Sequence, residues 1–134
     1  MRKLISIPML VILAGCASTG AGGSGSDPDE LTREEILSVE ASNLYEVVQR
    51  LRPRWLTAER RAGERSFGLQ VNVLVYQGQT RLGTVEVLGN WSPSAVYGME
   101  WLDGPEASAT LPGLGSQHVA GAIVLQTRAP DERG

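Results

Sequence analysis

The sequence predicts an α+β domain with a small mixed sheet and short helices, on three observations. Leu44, Val47, Val48 and Leu51 recur at helical spacing, whereas Phe67, Leu69, Val71, Val73 and Val75 alternate as in a half-buried strand. Glycine is abundant, 16 of 134 residues, and the glycines punctuate short segments, so the elements must be brief and joined by tight turns. Residues 31–130 hold this periodicity, about one hundred residues and therefore one core.

The elements are expected in the following order. Thr32 with Glu35 three residues on forms a capping box, so a short helical turn begins there. Ser42 or Asn43 caps a stronger helix, which carries Glu46, Gln49 and Arg50 on its polar face and stops at Pro53. Residues 57–66 are charged and without apolar period, which predicts a loop. A strand over 67–75 follows, then a turn at Gln77-Gly78-Gln79, a short return over 80–82, and a helical turn over 84–88 that directs Val85 and Leu88 inward. Ser92-Pro93 reads as a cap and first helical position. A second strand covers 96–102, Asp103-Gly104-Pro105 breaks it, and residues 106–110 suit a short helix. A glycine-rich loop over 111–117 leads to a closing strand over 120–127, with Ile123 and Leu125 on one face and Ala122 and Val124 on the other.

Ahead of this domain, Arg2 and Lys3 precede an apolar run over residues 4–13 that Pro8 interrupts, the layout of a signal peptide and too short for a membrane span of ~20 residues. Leu13-Ala14-Gly15-Cys16 resembles the lipobox of bacterial lipoproteins: Leu, two small residues, then the cysteine that becomes the new amino terminus. The resemblance implies a signal peptide over 1–15, with the Cys16 thiol alkylated by diacylglycerol and the freed amine acylated. Several acyl chains, at ~0.8 kcal/mol per buried CH₂, hold far more firmly than one. Ala17, rather than Asp, follows the cysteine, which by the same resemblance implies the outer membrane, facing the periplasm. Residues 17–30 are rich in Gly and Ser and read as a flexible linker of roughly 20 Å root-mean-square span.

Charge and composition limit the remaining choices. The net charge is −3, and loss of Arg2 and Lys3 with the leader takes it to −5, which argues against nucleic acid as a partner. Cys16 is the single cysteine, so disulfides and thiol catalysis are not expected in the mature domain, and one histidine makes a zinc site unexpected.

A longer pattern emerges from the second half: Val73-Leu74-Val75-Tyr76-Gln77-Gly78, then the stretch from Val96-Tyr97-Gly98-Met99-Glu100-Trp101-Leu102 through Asp103-Gly104-Pro105-Glu106-Ala107, then Leu114-Gly115, and Gly121-Ala122-Ile123-Val124-Leu125-Gln126-Thr127-Arg128. Preceded by Asn43-Leu44-Tyr45-Glu46-Val47-Val48 and Leu51-Arg52-Pro53, the series resembles the plug domain of TonB-dependent outer-membrane receptors over residues 32–128. Gln77 stands where that family has an acid, and Leu114 where it has Tyr. The resemblance implies a plug-like periplasmic domain that works by binding, without cofactor. Its expected partners are the membrane through Cys16 and an outer-membrane receptor or TonB-type envelope protein.

Two residue groups invite chemistry. His118, beside Ser116 in the glycine-rich loop, forms an imaginable hydrolase set with Glu100 or Asp103, but no Gly-x-Ser-x-Gly elbow is present and a turn-bonding or surface histidine is the simpler expectation. Arg50, Arg52, Arg54, Arg60, Arg61 and Arg65 concentrate positive charge, either as a docking patch for an acidic partner or lipid headgroups or as a solvated surface interleaved with Glu46, Glu59 and Glu64. Trp55, Trp91 and Trp101 should supply core mass. Trp55, next to Arg54, is the one expected at the surface, where Arg52, Arg54 and Trp55 together form a candidate partner contact. The expected function is thus a non-enzymatic binding lipoprotein, with a small envelope hydrolase or a purely structural lipoprotein as the alternatives.

Overall fold

The computed structural model describes residues 27–65 and 71–128. The chain begins with β1 (Glu30–Thr32) and α1 (Arg33–Ser38), α2 (Leu44–Leu51), α3 (Pro53–Leu56) and α4 (Ala58–Arg65). It continues through β2 (Val73–Gln77), β3 (Thr80–Thr84), two 3₁₀ turns (Val85–Asn90 and Pro93–Ala95), β4 (Gly98–Asp103), α5 (Gly104–Thr110) and β5 (Gly121–Gln126). The five strands form one mixed sheet in the order β1-β4-β5-β2-β3, the α+β architecture expected. Only β2 and β5 run parallel, Val73 opposite Gly121 and Val75 opposite Ile123, because everything from β3 to α5 intervenes between them; the other pairings are antiparallel.

Local signals account for most element ends. Thr32 and Glu35 make the reciprocal capping box on α1, with the Thr32 amide donating to Glu35 at 2.9 Å. Asn43, rather than Ser42, caps α2 through its side chain, accepting from the Glu46 amide at 3.0 Å. Asp103 does the same for α5, accepting from the Glu106 amide at 2.9 Å, and α5 therefore starts two residues before the expected 106. Gly78, at φ 58, supplies the left-handed residue of the β2–β3 turn.

The core lies on both faces of the sheet. Val73, Val75, Met99, Ile123 and Leu125 point to one face, where Ile36, Leu44, Val47, Val48 and Trp55 from the helices cover them. Leu74, Tyr76, Leu102 and Ala122 point to the other, under Ala107 of α5 and under Leu111 and Leu114 of the loop that follows. The Tyr76 hydroxyl donates to the Pro112 carbonyl at 2.9 Å and fixes that loop over the sheet. β2 is consequently buried along both faces and not half-buried as its alternation suggested; its extent is Val73–Gln77, and residues 67–70 of the expected strand lie outside the described residues.

Two further expectations are corrected. Residues 58–65 form α4 and not a loop: Ala, Glu and Arg are strong helix formers, and the helix buries no residue, so no apolar period marks it. Its Glu59 carboxylate accepts from the Val73 amide at 2.7 Å, satisfying a donor at the start of β2. Residues 27–30, expected as the end of the linker, instead belong to the fold: the Trp101 amide donates to the Asp29 carbonyl at 2.7 Å, extending the β1–β4 ladder.

Gly121 marks the tightest packing of the sheet. A Cβ placed there would lie 2.4 Å from the Trp101 ring and 2.7 Å from the Leu102 carbonyl oxygen, so the position excludes any side chain. Gly121→Val is expected to cost about 3 kcal/mol of folding free energy, at the upper end for overpacked sites. Equal denaturation midpoints for the two proteins would contradict this packing.

Candidate functional site

The arginines of the α2–α4 segment divide by what they hold. Arg52 is mostly buried, its side chain 12% exposed, and its guanidinium donates to the carbonyls of Asp27 at 3.1 Å and Glu30 at 2.9 Å and to the Glu35 carboxylate at 3.0 Å. Arg54 donates to the Pro28 carbonyl and pairs with Asp29. Arg50 donates to the Glu40 carbonyl. These groups fasten the entering chain and the α1–α2 connection to the domain.

Trp55 is fully buried, contrary to the expectation of a surface anchor. Pro53 does not merely end α2 but opens α3, and this short helix turns the indole inward, where it stacks on Trp101 with centroids 6.0 Å apart and planes 18° from parallel. Its Nε1 donates to the Pro28 carbonyl at 3.3 Å. The contact expected from Arg52, Arg54 and Trp55 is thus made inside the molecule, with residues 27–30 as its occupant.

Among the shallow grooves of the described surface, three adjoin the candidate residues. The first, about 280 Å³, runs between α4 and the start of β5, and Arg54, Arg61 and Arg65 line it with Trp101 and Asp103. The Arg61 guanidinium is oriented by the Arg54 carbonyl at 2.7 Å and the Thr57 hydroxyl at 2.9 Å. Arg61 and Arg65 share a face with Ala58 and Ala62, an i, i+4 spacing visible in the sequence once these residues are placed on a helix. The second groove, about 460 Å³, is lined by Leu74, Arg81, Ser116 and His118. The third, about 480 Å³, lies over the uncovered end of β5, with Glu100, Val124 and Arg128.

This division separates the imagined hydrolase set. Ser116 and His118 share the second groove, whereas Glu100 lines the third, and Asp103 lines the first while capping α5. Among the described residues no hydrogen bond joins Ser116 to His118 or either to a carboxylate, and no cluster of three metal-ligating side chains occurs. The Glu86 carboxyl is held below the ordinary carboxylate range, chiefly because the Thr84 hydroxyl donates to it and then through its own backbone amide, at the start of a 3₁₀ turn outside all three grooves. Cys16, the expected lipidation site, lies outside the described residues. Compared with known proteins, the chain matches no family model, no curated protein and no solved structure.

The clasp on residues 27–30 is directly testable. Arg52→Met removes charge-assisted hydrogen bonds, each ordinarily worth about 1.5–3 kcal/mol. Exchange of the Trp101 amide, whose acceptor is Asp29, should accelerate at least about tenfold, reporting local opening of the β1 edge. Unchanged exchange would show that the strand holds without its clasp.

Proposed function

We propose that the chain is an outer-membrane lipoprotein, anchored through acylated Cys16 and facing the periplasm, whose plug-like domain is a non-enzymatic binding module. The observation that carries this reading is the unbroken order of a charged start at Arg2-Lys3, an apolar run over 4–13, and Leu13-Ala14-Gly15-Cys16, followed at once by a Gly/Ser-rich segment. The chemistry fits an anchor: a cysteine thiol can be alkylated where a serine hydroxyl cannot, and no other thiol competes.

Support for a binding role comes from the domain. A five-stranded mixed sheet with short helices agrees with the plug-like resemblance at the level of α+β class. The separation of Glu100 and Asp103 from Ser116 and His118 favours binding over hydrolysis. An outer-membrane receptor or a TonB-type envelope protein is the kind of partner this reading implies.

Cys16→Ser tests the anchor. The parent should sediment with membranes, whereas the variant should appear in the soluble fraction or persist as uncleaved precursor. Identical processing and fractionation of the two would defeat the proposal.

A further inference from the structure

The α4 groove is positively charged beyond what the fold uses. Arg54 is paired with Asp29, and Arg61 is oriented by a carbonyl and a hydroxyl that leave its charge uncompensated. Arg65 makes no hydrogen bond or ion pair with the described residues, and both Arg61 and Arg65 are exposed. Three arginines and one carboxylate, Asp103, line the groove, so its lining keeps a net positive charge. Asp103 spends a carboxylate oxygen on the Glu106 amide, and Glu59 accepts from the Val73 amide. Glu64 does not line the groove and lies one turn along α4 from both Arg60 and Arg61, with no ion pair to either. The half-buried Trp101 ring gives the groove an apolar wall, stacked on Trp55.

The groove also sits where the chain enters the domain. Arg54 lines it while holding Pro28 and Asp29, so its mouth is one side chain away from the start of the described chain at Asp27. Cys16 precedes Asp27 by eleven residues, which span at most about 40 Å even when fully extended. A domain tethered so closely to a membrane meets its headgroups at an effective concentration that populates even weak sites.

We infer that the α4 groove docks on anionic phospholipid headgroups, with Arg61 and Arg65 taking the phosphate and Trp101 lying at the headgroup level. The inference rests on the lipid-anchor reading and deepens it: the acyl chains hold the chain to the membrane, and the groove orients the domain on it. Guanidinium forks suit phosphate oxygens, and the amphipathic indole suits an interface that is apolar on one side and wet on the other.

The test uses the full lipidated chain reconstituted in vesicles of phosphatidylcholine alone or with phosphatidylglycerol, each carrying a headgroup spin label that quenches tryptophan. Quenching should be stronger in the anionic vesicles and fall back to the neutral level as salt rises. In R61Q/R65Q the ratio of docked to undocked protein should drop about twenty-five-fold, taking each surface arginine as about fivefold. R61K/R65K should retain most of the effect. Because α4 buries no residue, the glutamine variant is expected to keep the parent's thermal midpoint, which shows that it folds.

Equal quenching in the two vesicle types, or equal quenching by parent and R61Q/R65Q, would overturn the inference. So would a rise in the parent's thermal midpoint on adding polyglutamate that the variant lacks, with no preference for anionic vesicles, since the occupant would then be an acidic polypeptide. The R61Q/R65Q chain should remain in the cellular membrane fraction because Cys16 holds it there. A parent chain absent from that fraction counts against the anchor instead of the groove.

Discussion

The Trp101 ring lies directly over the backbone of Gly121, at a distance that leaves no room for a Cβ, and much of the domain's architecture follows from that contact. Seated there, Trp101 presents its face to Trp55, and the stacked pair joins the sheet to α3. α3 in turn places Arg52 and Arg54 on the carbonyls of residues 27–30, and those residues continue the pairing of β1 with the edge of β4. α4 then leads from α3 toward β2, delivering Glu59 to the Val73 amide. A close approach between two adjacent strands thereby sets the path of the chain's entry and of its first crossing over the sheet.

The sequence was most informative where a periodic face meets a recognisable cap. Leu44, Val47 and Val48 behind Asn43, the reciprocal Thr32 and Glu35 pair, and Val85 with Leu88 all occupy the places their spacing implied. It was least informative where burial is two-sided or absent. β2 carries buried residues on both faces, so its alternation understated how central it is, and α4 buries none, so a helix held by Glu59 and by propensity passed for a loop. Trp55 failed for a third reason. A tryptophan that follows two arginines and a proline has the composition of an interface anchor, but the order Arg52-Pro53-Arg54-Trp55 also suits a one-turn helix that turns its indole inward, and only its partner on the sheet, Trp101, decides between them.

The same limit applies to the candidate site. Six arginines within residues 50–65 look alike in sequence, yet Arg50 and Arg52 are bound to backbone carbonyls and Arg54 is paired, while Arg61 and Arg65 keep their charge available along one face of a helix. The distinction depends on segments far apart in sequence, notably residues 27–30, whose carbonyls need donors. Basic charge in an acidic chain therefore has two roles here, one closing the fold around its entry segment and the other left facing outward near the start of the described chain.

Everything functional in this account depends on the chain being held at a membrane by its first mature residue. The most direct measurement is the intact mass of the protein purified from the membranes of cells that process lipoproteins. The account predicts a chain beginning at Cys16, lacking residues 1–15 and carrying the added mass of diacylglycerol with or without a further acyl group on the amine. A mature chain cut at another position, or one beginning at Cys16 with a free thiol, would contradict it.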